Sequence, residues 1–226
     1  MSAAQCGVCG TAVRSAFRAP QPEIAPDLDM RPGEPARSTL RDWVLVCPNC
    51  GAAAPDLAAV PPSARPVVES DEYRMLSTSV LEETLPFRRW ALILAGSRDR
   101  AGQAEALLQA AWAADDAAAM AEAARLRTEV ATLWDGTDDV ELGLRRLDVL
   151  RRAGLFEAAE AWATVLTERG ADELGRSIIG FQRVRIAARD IGRHLISSAL
   201  PPPAYAPHVS HGKRATTGFW SRLLRK

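Results

Sequence analysis

From Ser70 onward the apolar residues of the chain recur every three or four positions, the interval at which side chains stack on one face of an α-helix. Tyr73, Leu76, Val80 and Leu81 mark the buried side of a first helix. Ser70 can cap it, and Asp71 and Glu72 supply the charge that a helix N-terminus favours. Pro86 restarts the chain, and Phe87, Trp90, Ala91 and Leu94 make a second helix ending near Gly96. Asp99 opens a third, with Ala104, Leu107, Leu108, Ala111 and Trp112 inward. Asp115 or Asp116 starts a fourth, over Ala119, Ala123, Leu126, Val130 and Leu133. Asp135-Gly136 ends it, Thr137 caps a fifth, and Val140, Leu144, Leu147 and Leu150 face one way until Gly154. A sixth carries Leu155, Ala159, Trp162 and Leu166 to Gly170, and so short a turn makes the fifth and sixth antiparallel. Asp172 opens a long last helix with Leu174, Ile178, Phe181, Ala188, Ile191 and Leu195 along its seam.

Before Ser70 the helical period is absent. Thr11 to Phe17 and Trp43 to Val46 read as short strands, with Trp43 placed to cover whatever the second strand leads into. Between them Pro26-Asp27-Leu28-Asp29-Met30-Arg31-Pro32 holds too much proline for a helix or a central strand. Thirteen of the 15 prolines fall in residues 20–35, 55–66 and 201–207, and these stretches draw the boundaries. Three parts follow: residues 1–60, residues 70–200 and a basic tail over residues 201–226. Gly154-Leu155-Phe156-Glu157-Ala158-Ala159 is like the central turn of a tetratricopeptide repeat, where small residues let two helices approach. Only one copy is present, and Trp90, Trp112 and Trp134 are 22 residues apart rather than 34, so the expectation is TPR-like helical packing. The expected fold is mainly α: a small N-terminal β-ribbon followed by an antiparallel TPR-like array.

The candidate chemistry lies at the N-terminal end. All four cysteines sit in two knuckles, Cys6-Gly7-Val8-Cys9-Gly10 and Cys47-Pro48-Asn49-Cys50-Gly51. A C-x2-C hairpin presents two sulfurs to one ion, and two such hairpins supply four soft ligands for a tetrahedral metal. The glycine after each second cysteine suits the sharp turn that follows it. Zinc in a structural role, held by Cys6, Cys9, Cys47 and Cys50, is the leading reading; the gap from 10 to 46 makes it a ribbon with an insertion. The rivals are two disulfides, a dithiol redox pair and iron in a rubredoxin-like site. Against the first, no signal peptide opens the chain, which points to the cytoplasm. Against iron, only Phe17 and Trp43 are at hand to wall off a redox centre. Within the insertion, Asp27, Asp29, Arg31 and Arg37 are candidates for a recognition surface beside the metal; the competing reading is a structural loop packed on the ribbon.

Charge narrows the function classes. The 28 basic residues balance 28 acidic ones, so no whole-protein field selects nucleic acid or membrane. Nucleic-acid binding or a regulatory zinc-ribbon role is the alternative, carried by Arg185, Arg189 and Arg193 at i, i+4 spacing on the last helix. Catalysis is not expected, because four thiolates close a zinc site and no G-x-S-x-G, H-E-x-x-H or phosphate loop is present. The tail holds Lys213, Arg214, Arg222, Arg225 and Lys226 and no acid, beside Phe219, Trp220, Leu223 and Leu224. As a short helix centred on Trp220 it suits an acidic protein groove or peripheral contact with an anionic membrane; no run is apolar enough for a transmembrane segment. The expected role is a non-catalytic protein-interaction module or scaffold with an unidentified protein partner.

The order of parts also resembles a bacterial family of uncharacterised proteins that join a two-knuckle zinc ribbon to a TPR-like helical region. The resemblance runs through Cys6 to Gly10, Pro26 to Pro32, Arg37-Ser38-Thr39, Trp43-Val44, Cys47 to Gly51 and Ala54-Pro55-Asp56-Leu57. It continues in Ala110 to Asp116 and Arg145 to Ala159, and covers roughly residues 5–195. The position after Gly51, often aromatic in that family, is Ala52 here. The resemblance implies an architecture and no activity.

Overall fold

The structure is a computed structural model and describes residues 4–200. Two antiparallel hairpins come first. Strand β1 (Ala4–Gln5) pairs with β2 (Ala12–Val13), and β3 (Leu45–Val46) pairs with β4 (Ala53–Ala54). Each hairpin encloses one knuckle. Between them a 3-10 turn, Arg37–Asp42, brings the inserted loop back to β3. The helices are α1 (Arg65–Val68), α2 (Asp71–Ser79), α3 (Leu85–Gly96), α4 (Arg100–Asp116), α5 (Met120–Leu133), α6 (Val140–Arg152), α7 (Phe156–Glu168) and α8 (Glu173–Ala187). A mainly helical chain with small N-terminal strands is therefore the fold, as the apolar periodicity indicates.

Side-chain caps fix several helix starts. Ser70 Oγ accepts from the Tyr73 amide, Asp99 from Gly102 and Asp172 from Gly175. Four boundaries differ from the sequence expectation. Helix α2 stops at Ser79, so Val80 and Leu81, both extended, lie beyond it. Asp139 rather than Thr137 caps α6, accepting from the amides of Glu141 and Leu142. Asp115 and Asp116 end α4 instead of opening α5; the chain turns at Ala118, with φ of 56°, and restarts at Met120. The last helix stops at Ala187, and Arg189 takes φ of 51°, so Ile191 and Leu195 lie beyond any helical seam and Ile191 is exposed.

Consecutive helices pack on one another from α3 to α8, with α6 also touching α8. Leu108, Leu126, Val130, Leu147, Val149 and Leu166 form the centre of this core. Helix α4 is its middle layer, and its buried Ala104, Ala106, Ala110, Ala111 and Ala114 let neighbours approach on several sides. A second core joins the ribbon to the helices: Cys6, Cys47, Ala54, Leu57 and Val60 pack with Tyr73 of α2 and Ile93 of α3. Trp43 does not cover the sulfurs. Its ring stands edge-on to Trp112 of α4, centroids 6.3 Å apart, and its Nε1 donates to Thr39 Oγ1 at 2.9 Å. Among the described residues no helix is long and apolar enough to cross a membrane.

The close helix approach expected at Gly154 occurs elsewhere. Gly154 sits at φ of 77° with nothing within 4 Å of where a Cβ would point. At Gly143 of α6, by contrast, a Cβ would lie 2.6 Å from Leu166 Cδ2 and 3.4 Å from the Trp162 ring. The Gly143 carbonyl accepts from Trp162 Nε1 at 2.9 Å, so α7 is pinned to α6 at this point. Gly143→Val is expected to cost about 1–3 kcal/mol through overpacking against the fully buried Leu166. Urea unfolding measures it, and an unchanged midpoint would mean that α6 and α7 have room to separate.

Candidate metal centre

Each knuckle is built by backbone hydrogen bonds that fold it over its own first cysteine. The Cys6 amide donates to the Thr11 carbonyl at 2.9 Å and the Gly10 amide to the Cys6 carbonyl at 2.7 Å. In the second knuckle the Cys47 amide donates to Ala52 at 2.8 Å and the Gly51 amide to Cys47 at 3.0 Å. Gly10 and Gly51 hold φ of 75° and 74°, which is what the turn after the second sulfur demands. Gly7 rests directly on the chain that follows the ribbon: its amide donates to Leu57, and a Cβ there would strike the Val60 carbonyl.

These folds bring all four sulfurs within 4.8 Å of one another. Cys6 Sγ lies 3.8 Å from Cys50 Sγ, and Cys9 Sγ lies 3.6 Å from Cys47 Sγ. Bonds of about 2.3 Å to a tetrahedral ion place sulfurs about 3.8 Å apart. A disulfide needs about 2.05 Å, and all four cysteines are free. Cys6 and Cys47 are buried while Cys9 and Cys50 reach the surface in part. The cluster is therefore a ready set of donors for one metal ion.

Without a cation Cys6, Cys9 and Cys50 hold their protons unequally. Thr11, whose hydroxyl lies 3.3 Å from Cys9 Sγ, holds the Cys9 thiol down to about 5. Burial pushes Cys6 up, and pushes Cys50 up to about 12. Cys9 is thus the readiest of these to meet a cation, which must displace the protons of Cys6 and Cys50 as it binds. Tyr73 closes the site from the helical side by donating its hydroxyl to the Gly51 carbonyl at 3.0 Å. Burial raises this phenol well above its usual value, so it stays a donor.

The inserted loop has a different place from the one expected. Asp27, Asp29 and Arg31 are buried, and Arg37 is largely covered, so they form no recognition surface beside the metal. Nor does the loop lie on the ribbon: it plugs into the helical array. Asp29 Oδ2 accepts from Trp112 Nε1 at 2.9 Å and from Arg152 Nη1 at 3.0 Å, with Arg127 at 3.8 Å. Arg127 and Arg152 also share Asp115. Arg31 reaches Asp116 at 2.6 Å and the Trp112 carbonyl at 3.3 Å. Arg37 pairs with Asp27 at 2.5 Å. Burial alone would raise the Asp29 carboxyl, but Arg152 and Arg127, helped by the Trp112 indole, outweigh it and hold it below its ordinary value. Asp27 goes the other way, raised by burial, and its Oδ1 has no hydrogen-bond partner.

The arginine stripe is not formed either, because α8 ends before it is complete. Arg185 lies over the Phe181 ring, Arg189 lies over the Phe156 ring beyond the helix and faces Glu157, and Arg193 is exposed in the segment after it. Trp220, with the rest of the basic tail, lies outside the described residues. The buried cluster of Arg127, Arg152, Trp112 and Asp115 was not expected from sequence. Its partner Asp29 lies 83 residues from Trp112 and 123 from Arg152, and no local pattern marks such a pair. Comparison of the chain with protein-family models, with curated proteins and with solved structures finds no significant match.

Asp29→Asn is expected to cost about 3–5 kcal/mol, since it leaves two buried guanidinium groups short of a counter-charge. Asp27→Asn should cost less, because its ionised form is already disfavoured. The depressed Asp29 carboxyl contributes stability that is full above about 3.9 and is lost as pH falls through the lower folded value. Urea midpoints for both variants and for the parent between neutral and acid pH check this. Equal losses for the two variants would put the anchor elsewhere.

Proposed function

We propose that the chain is a non-catalytic zinc protein, with Cys6, Cys9, Cys47 and Cys50 holding one structural ion, and that it serves as a protein-interaction module. The observation that carries the metal half is the sulfur arrangement: four cysteine sulfurs, from two hairpins whose cysteines are 38 residues and more apart, within 4.8 Å of one another. Zinc suits them because it takes four thiolates in a tetrahedron without a redox partner. With four protein sulfurs bound, such an ion has no position left for water, which is the basis for reading it as structural. The ion would crosslink two hairpins that each hold only four strand residues. The order of a two-knuckle ribbon and a helical array also fits the bacterial family that the motifs resemble.

The interaction half is supported by a cleft of about 440 Å³ where the inserted loop meets α6 and α8. Leu28, Met30, Leu142, Leu144 and Ile178 line it, together with Asp139, Glu141 and the Glu105–Arg145 ion pair. A largely apolar lining of this kind suits a protein segment that carries apolar side chains.

Purified protein should carry one zinc per chain by elemental analysis, and Cys47→Ser should lose it. Because Cys6 and Cys47 share a core with α2 and α3, the loss should lower the melting temperature of the helices too, read by circular dichroism. Stoichiometric iron would replace zinc in this reading, and neither metal would sink it. Tagged protein should keep its partners after nuclease treatment of the lysate and lose them on Met30→Glu; loss with nuclease would favour nucleic acid instead.

A further inference from the structure

A divalent ion in four thiolates leaves a net charge of −2, and in a half-buried site that charge is costly unless a cation faces it. Beside the exposed edge of the knuckles lies a cleft of about 270 Å³, lined by Cys9, Cys50, the exposed Glu69 and three arginines, Arg65, Arg74 and Arg89. Arg74 faces Asp71 at 3.9 Å, and Arg65 donates to the Val8 carbonyl at 2.6 Å, a contact that fixes the group against the first knuckle without neutralising it. Arg89, at the centre of the first half of α3, pairs with no carboxylate among the described residues, and its buried Nε has no hydrogen-bond partner. Its guanidinium carbon sits 5.3 Å from the centroid of the Tyr73 ring, the ring whose hydroxyl holds Gly51. Its Nη1 would lie 3.7 Å from a Cβ on Gly51, the residue that follows Cys50.

We infer that Arg89 is a counter-charge of the thiolate centre on the side of the second knuckle, a positioning residue that raises metal affinity without ligating. Resting on the zinc reading above, this gives the unpaired guanidinium its partner. The Tyr73 ring fixes the group by a cation–π contact, and α3 aims it at the second knuckle rather than at solvent. A competing explanation is that the Arg89 stem merely covers Tyr73, in which case an apolar side chain of similar length would serve as well.

The two explanations separate in a zinc-affinity series on the full chain, measured by competition with a chromophoric chelator at fixed pH. Arg89→Met keeps the stem and removes the charge; Arg89→Gln removes it while keeping a polar end; Arg89→Lys keeps the charge. Met and Gln are expected to bind zinc about tenfold more weakly or worse, with Lys recovering most of the loss. Added salt should narrow the gap between parent and Met. Melting temperatures of the metal-free variants should match the parent, which separates charge loss from misfolding; if Met alone misfolds, Gln decides. Affinities within twofold of the parent for both Met and Gln, or a Lys variant as weak as Met, would overturn the inference and leave the zinc reading standing. A parent chain that binds no zinc would overturn both.

Discussion

The carboxylate of Asp29 holds the two halves of the molecule in register. It comes from the loop between the knuckles, yet it lies fully buried against Trp112 of α4, Arg127 of α5 and Arg152 of α6. The cluster that surrounds it is balanced: Asp29, Asp115 and Asp116 against Arg31, Arg127 and Arg152. Charge balance does not make such a cluster strongly stabilising, because every ion but the half-exposed Asp116 has lost most of its water. The Nε atoms of all three arginines also go without partners, a further cost. What the arrangement supplies is selectivity: a loop shifted by one residue would leave two buried arginines with Asp115 alone between them, one counter-charge short.

Helix α6 turns this anchor into a clamp. Arg151 and Arg152 are consecutive, so they leave the helix about 100° apart and address different partners. Arg152 takes the inserted loop. Arg151 takes Gln182 of α8, Asp148, and the carbonyls of Asp190 and Gly192 in the segment that follows α8. Those two partners then meet each other. The Leu28 amide donates to His194, the Ile196 amide donates to Pro26, and Asp27 bridges to Leu195. The loop between the knuckles is thus held from both sides, and the chain on either side of it leads to one knuckle of the thiolate centre. Closing that centre with an ion and seating the loop are two constraints on one stretch of chain.

Helix positions were legible because their causes are local. Apolar spacing at three and four, and caps such as Ser70, Asp99 and Asp172, act within one or two turns, and each appears where the spacing places it. The knuckles were legible for the same reason: C-x2-C and a following glycine are set by a few backbone hydrogen bonds. Misplaced elements had competing long-range partners. Asp115 has the composition of an N-cap but pairs with Arg127 and Arg152, and Trp43 is close to Cys47 in sequence but packs on Trp112. The α8 stripe failed for a local reason, a left-handed turn at Arg189 that an arginine gives no warning of.

By itself, then, the sequence determined the helical class, the order of ribbon and array, and the four residues able to gather round an ion. Only the tertiary structure decided that a proline-rich, charged loop goes inside rather than outside. Hydrophobic pattern sorts side chains by their own cost of leaving water. A charged side chain can be buried when an opposite charge waits for it, and that depends on where residues 83 to 123 positions away have been brought. The same holds for Arg89, which is one more arginine on an exposed-looking helix until the fold sets it beside Tyr73 and the second knuckle.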